Sequence, residues 1–442
     1  CQDIENTLGR QPLPAIGDGP ALVAIATVPD STMRGRLAIS TLEKPRPTMA
    51  STLSRSISLR AIWLPSSGLS WSSSRSTVTA SPPSFLPSAS NLVLVTLAGS
   101  LESMSAGGAI STAGNVLLQA VGATSDITLG AALSNTAGHT SLSAARSVVQ
   151  NANITATGTG KTVDLLADAS ITMGAGAIIG TQDGSVVLTA GSGNVTLESI
   201  TAGNANVAIT AAGNIVDRDA AGDSGVDITA AGLILSAGVG IGAGANHLET
   251  SVSTLTASAG AGGVYVSEAN GVTVSNLTVA VNRVGTDASV PVTAGGSATV
   301  TQEDLIVSGA GNLVLVSVLG DVVVNAGVTA GAVSLQTGNS LIQATAGALT
   351  FNAALAASGG HISLRAGSTL SQGEAGDIST TGVGTIGVQA NVISMADGAT
   401  STTGMGNIRY AAVGTLTLGA LSTGGDVSLS ASSISEIGRA HV

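Results

Sequence analysis

Between residues 99 and 435, apolar residues recur at every second position in short runs, and a Gly, Asn or Ala turn closes each run. Residues 193–216, "GNVTLESITAGNANVAITAAGNIV", repeat that phrase three times. It returns as "GNVLLQA" at Gly114, "GSVVLTA" at Gly184, "GNLVLVS" at Gly311, "GTLTLGA" at Gly414 and "GDVSLSA" at Gly425. A period of two belongs to a β-strand buried on one side, which puts Val116 and Leu118, or Val195 and Leu197, on an inner face. Run starts fall roughly 8 to 14 residues apart, so two runs make a unit of about 20 to 24 residues, the size of one solenoid coil.

The pairs Gly114-Asn115, Gly193-Asn194, Gly213-Asn214, Gly311-Asn312 and Gly406-Asn407 stand just before such runs. Both residue types tolerate left-handed backbone, so each pair is expected to mark a sharp corner. Coils stacked in register let these asparagines form hydrogen-bonded ladders. A single coil leaves its strand edges unpaired, and each added coil satisfies its neighbour. The pattern predicts an all-β parallel solenoid of about fifteen coils, a rod of roughly 70 Å at about 4.8 Å per coil.

Composition narrows the core. Apolar residues make up 44% of the 442, yet there are only two Trp, two Tyr and two Phe, so the core must be thin and aliphatic. The 59 glycines do not signal disorder, because charged residues are only 9% and mean hydropathy is positive. A net charge of −11 argues against nucleic acid or an anionic membrane as partner. With Cys1 the single cysteine, no intrachain disulfide can form. The uncharged stretch 228–248 has the length of a membrane span, but its five glycines would weaken a helix by about 1 kcal/mol each, and strands with turns fit it better.

The chain divides near residue 98. Ten of eleven prolines, both tryptophans and eight of fifteen basic residues precede residue 101, against six of the 59 glycines. Residues 101–442 hold 21 acidic and 7 basic residues, a net of −14, whereas the first hundred carry +3. Residues 1–98 therefore read as a Pro/Ser/Arg-rich segment, either a disordered linker or a translation in the wrong frame; residues 99–435 read as the repeat shaft. The last seven residues, 436–442, "EIGRAHV", resemble the translation of a sequencing-library adapter and read as a tail without biology. The chain opens without a basic, then apolar, leader, so a signal peptide is expected to lie outside it, and the whole reads as a fragment of a longer chain.

The stretch Gly238–Val274, "GVGIGAGANHLETSVSTLTASAGAGGVYVSEANGVTV", carries a family resemblance. Its Gly-Ile-Gly turn at 240–242, the Asn-x-Leu-Glu-Thr run at 246–250, the Leu-Thr-Ala strand at 255–257 and the Gly-Gly-x-Tyr-Val strand with Glu268 after it resemble the shaft of filamentous-haemagglutinin-like adhesins and related giant β-strand-repeat surface proteins of bacteria. The resemblance covers residues 101–435. It implies a right-handed parallel β-helix (β-solenoid), export to the bacterial surface or medium in association with the outer membrane, and a role in adhesion or biofilm formation. Its partners would be host or environmental surfaces or glycans. The secretion-recognition domain of that family has no counterpart in residues 1–98.

Candidate chemistry is sparse, and no enzyme is expected. "GDSG" at 222–225 has the form of a serine-protease nucleophile motif with Ser224, but Val226 replaces the second glycine, and only His139 stands upstream as a base. Asp217, Asp219, Asp223 and Asp227 form the densest carboxylate cluster, with spacing that suits calcium. An EF-hand would need Glu where Ile228 stands, and an insertion loop bulging from one coil is the competing reading. Residues 238–244, "GVGIGAG", lack the following helix that a dinucleotide site requires. His139, His247 and His361 have no partner at metal spacing and are expected at the surface. Two rival functions share the scaffold. A β-helical polysaccharide-degrading enzyme would need clustered carboxylates, cations and aromatics, and an ice-binding solenoid would need a strict Thr-x-Thr row.

Overall fold

The computed structural model describes residues 21–26, 37–38, 58–59, 75–78, 91–103, 108–219, 225–290, 297–330 and 339–437. Among them there is no helix, and parallel strands stack into a β-solenoid of about 14 turns. Each coil contributes three strands rather than the expected two. One coil holds Val163–Ala167, Ile171–Met173 and Ile178–Thr181; the next holds Val186–Ala190, Val195–Leu197 and Ser199–Thr201. They pair one on one, Val163 with Val186, Ile171 with Val195 and Ile179 with Ile200. Two of the three strands are so short that one turn of alternation hides between two corners.

Inward positions repeat from coil to coil as Val, Ile, Leu or Ala. Val195, Leu197, Leu188 and Ile209 are fully buried, so the inner face expected from alternation is the core. Phe351 and Tyr410 are its largest side chains. The uncharged stretch 228–248 forms the strands Ile228–Ala237 and Gly240–Ile241 and the start of Leu248–Ala259. No described helix is long and apolar enough to cross a membrane.

The corner glycines have a different cause from the expected one. None of Gly114, Gly193, Gly213, Gly311 or Gly406 has positive φ. Instead, corners of successive coils press backbone on backbone. A Cβ at Gly406 would fall on the Gly384 carbonyl oxygen, and one at Gly311 on the Gly263 amide nitrogen. Asparagine ladders do form, between side chain and backbone: Asn91 Oδ1 accepts the Asn115 N–H (2.6 Å) and Asn115 Oδ1 that of His139 (2.8 Å). Asn194 Oδ1 does the same for Asn214, and Asn312 Oδ1 for Asn339.

Among the described residues, the shaft changes its cross-section once. Up to residue 237 the long strand of each coil stacks in one ladder, from Asn91–Thr96 through Asn206–Ala211 to Gly232–Ala237. Gly263–Glu268 then sets its first residues on Gly240–Ile241 and its last on Leu248–Thr250, fusing two short ladders into one long one. The former long ladder splits, since Leu248–Ala259 supports both Val272–Val274 and Leu305–Val307. Leu313–Ser317 and all later long strands follow the fused ladder. The strands Leu277–Asn282 and Ser297–Gln302, inserted at the split, form an antiparallel hairpin outside the solenoid.

The ladder begins before the expected boundary at 99, with Asn91–Thr96, on which Ala21–Ala26 pairs in parallel. The other expectations for residues 1–98 fall mostly outside the described residues, as do residues 438–442 of the tail. Inward and outward positions of one strand make a direct test. Leu197→Ala should cost about 2–5 kcal/mol, a core truncation, while its neighbour Thr196→Ala stays within about 0.5 kcal/mol. Urea denaturation of the two variants checks this; equal midpoints would contradict the inward assignment.

Candidate functional site

The acidic region lies at the end of the strand Ile215–Asp217, the middle strand of its coil. Asp217 stacks on Leu197, an inward position, and is buried. Its carboxylate accepts the Asp219 N–H (2.9 Å) through Oδ1 and the Asn246 side-chain amide (2.5 Å) through Oδ2. Asp227, also buried, accepts the Glu249 N–H (2.9 Å) from the following coil, and its carbonyl accepts that of Ile200 (2.7 Å) from the preceding one.

Carboxylate oxygens of Asp217, Asp227 and Glu249 lie within 4.8 Å of one another. Two of the four aspartates suggested by spacing, Asp217 and Asp227, belong to this set. The Asp219 side chain is not in it, Asp223 lies outside the described residues, and Glu249 arrives from the next coil, some twenty residues along. Three such oxygens could hold a hard cation such as calcium. Each of the two aspartate carboxylates already accepts an N–H group from the following coil, Asn246 for Asp217 and Glu249 for Asp227, which also makes them staples between successive coils.

The remaining sequence-flagged residues stand apart. Ser224 lies outside the described residues. The 238–244 stretch forms a corner and the short strand Gly240–Ile241, with Gly242 at φ +60°, and no helix follows. His247 stacks obliquely beside Tyr265, ring centroids 6.0 Å apart, and His361 is exposed beside Thr385. His139 departs from the expected surface position. Half-buried, it accepts the Thr162 N–H at Nδ1 (3.1 Å). Burial, aided by the charge of Lys161, holds its pKa down at about 4.

The shallow recess at the first coils is lined mainly by Leu94, Leu101, Ile110, Leu118, Ile127 and Leu129. It lacks the convergent polar groups of a ligand pocket. On the outer faces hydroxyls align in register, Ser111, Ser134 and Thr155, then Thr201, Thr229 and Ser251, with Gly180 breaking the row. In the core, Tyr410 bonds Ser401 (2.6 Å), and burial pushes its phenol up to about 12, so it keeps its proton.

Sequence reading missed Glu268 except as a family feature. Wholly buried at the end of the fused ladder, it accepts the Thr250 hydroxyl (2.6 Å) and the N–H groups of Val252 (3.0 Å) and Asn270 (3.2 Å). Its carboxylate serves Val252 where the strand Leu248–Ala259 leaves the ladder. Burial raises its pKa above the ordinary glutamate value, partly offset by these hydrogen bonds.

Two outcomes follow from these contacts. Asp217→Ala should lower stability by about 1–3 kcal/mol, because the Asn246 amide and Asp219 N–H lose their acceptor; a chemical denaturation curve reads it. Glu268 makes stability fall as pH rises. Above the ordinary value of 4.5 the unfolded chain releases this proton first, and the loss continues until the folded group ionises. Tm measured from about pH 4 to about pH 8 should therefore fall more in the native chain than in Glu268→Gln; parallel curves would refute it.

No family model matches the chain, and no curated protein or solved structure matches it either.

Proposed function

We propose that this chain is the structural and adhesive shaft of a secreted or outer-membrane-associated bacterial adhesin, without catalytic activity, that presents extended faces for attachment or biofilm formation. The observation that carries the reading is the coil stack itself: outward positions repeat in register every coil, so any weak contact made by one coil is offered again by the next. Contacts repeated along a rod raise one another's effective concentration and need no deep pocket. The resemblance of Gly238–Val274 to filamentous-haemagglutinin-like shafts supports the same role. Surfaces and glycans are the partners such faces suit.

Attachment to abiotic and glycan-coated surfaces, measured for deletions of two whole coils each, tests the proposal. Removing residues 340–385, for example, leaves Leu313–Ser317 to stack on Ile386–Ala390. Attachment should decline step by step with the number of coils removed. Loss on one deletion, with the others harmless, would reveal a discrete site and end the distributed model. Release of new sugar ends from a polysaccharide panel would transfer the chain to the enzyme class.

A further inference from the structure

Alternation assigns every second residue of the first long ladder to solvent, yet one outward row is buried from end to end. The register aligns Val93 with Leu117, Ser141, Asp164 and Val187, and then with Ala208, Ile234 and Thr256. All are buried. What covers them is the insertion at the split of the ladder, which folds back along the shaft.

The cover matches the row coil by coil. Gln302 donates to Thr256 Oγ1 (3.2 Å). Val279 and Val281 pack on Ile234, Ala208 and Val187. Arg283 forms an ion pair with Asp164 (2.7 Å), and the Val284 N–H donates to Ser141 Oγ (3.0 Å). Val284 and Ala288 close over Leu117 and Val93, and the Ala288 carbonyl accepts the Asn115 amide (3.0 Å). Room is provided as well, since a Cβ at Gly232 would meet the Leu277 methyls. Apolar meets apolar and polar meets polar, and Arg283 offsets part of the rise that burial imposes on the Asp164 pKa. A slip of one coil would set that carboxylate against valine.

We propose that the hairpin is a clamp that makes the coils from Val93 to Thr256 open and close as one unit. A solenoid coil ordinarily touches only its two neighbours, so a shaft frays from its ends one coil at a time. One segment that binds eight successive coils couples them beyond nearest neighbours. The second half of the shaft supplies an internal control. Its outward long-ladder residues include Arg365 and Arg409, both exposed, and it frays by the ordinary rule.

Hydrogen exchange read by mass spectrometry on the full chain tests the clamp. The variants are Arg283→Gln, the pair Val279→Asp with Val281→Asp, and replacement of residues 276–303 by a short Gly-Ser linker. In the native chain, amides of Val116–Ala120, Thr140–Ala144, Val163–Ala167 and Val186–Ala190 should exchange at one common rate. In each variant they should exchange at least tenfold faster, in a gradient that is fastest toward residue 91, while Ile362–Ala366 and Ile386–Ala390 keep their native rates. A gradient already present in the native chain would overturn the proposal, and so would unchanged rates after the linker replacement. Equal acceleration in both halves would overturn it too, because the clamp touches only the first.

Discussion

Every part of this structure depends on one requirement: a strand edge inside a coil has no partner except the coil above or below it. Buried N–H and C=O groups left without partners cost free energy comparable to a lost hydrogen bond. The chain meets that requirement by repeating itself at nearly constant length, so that Val163–Ala167 lies under Val186–Ala190, and Val186–Ala190 under Asn206–Ala211. The thin aliphatic core follows, because identical inward positions stack their side chains above one another at strand spacing.

Corners are where this requirement is hardest to meet, since the chain must turn while its polar groups stay paired. Glycine lets two corners approach until backbone touches backbone, and asparagine supplies an oxygen for the N–H that the turn exposes. The Asp217 and Asp227 carboxylates do the same work at an inward and a corner position. Their closeness to Glu249 is thus a consequence of coil stacking as much as of any affinity for a cation.

The joint at residues 228–274 shows the requirement met by other means. Where two short ladders fuse and a long one splits, some edge groups face no strand, and Glu268 accepts the N–H that stacking leaves over. The split also opens the space between Val274 and Leu305 through which the hairpin leaves the coil path. A break in the repeat thereby gives rise to an element that crosses many coils.

The class of the fold was legible in the sequence because period-two alternation with turn residues recurs in units of about 20 to 24 residues, the length of one solenoid coil. Inward Val195 and Leu197 and the asparagine ladders could be read from the same pattern. The number of strands per coil could not, since a three-residue strand is too short to show a period. Nor could the reason for the corner glycines, which lies in a neighbouring coil rather than in their own φ. Glu249 joined Asp217 and Asp227 only through stacking, which brings together residues one coil apart whatever lies between them. The buried outward row did leave a mark, for "VLL" at 116–118, "VVL" at 186–188 and "LIL" at 233–235 are continuous apolar runs, as strands covered on both faces require. What would cover that row was decided by tertiary structure alone, because the hairpin meets Asp164 and Leu117 across more than a hundred residues of chain, and local pattern carries no information over that distance.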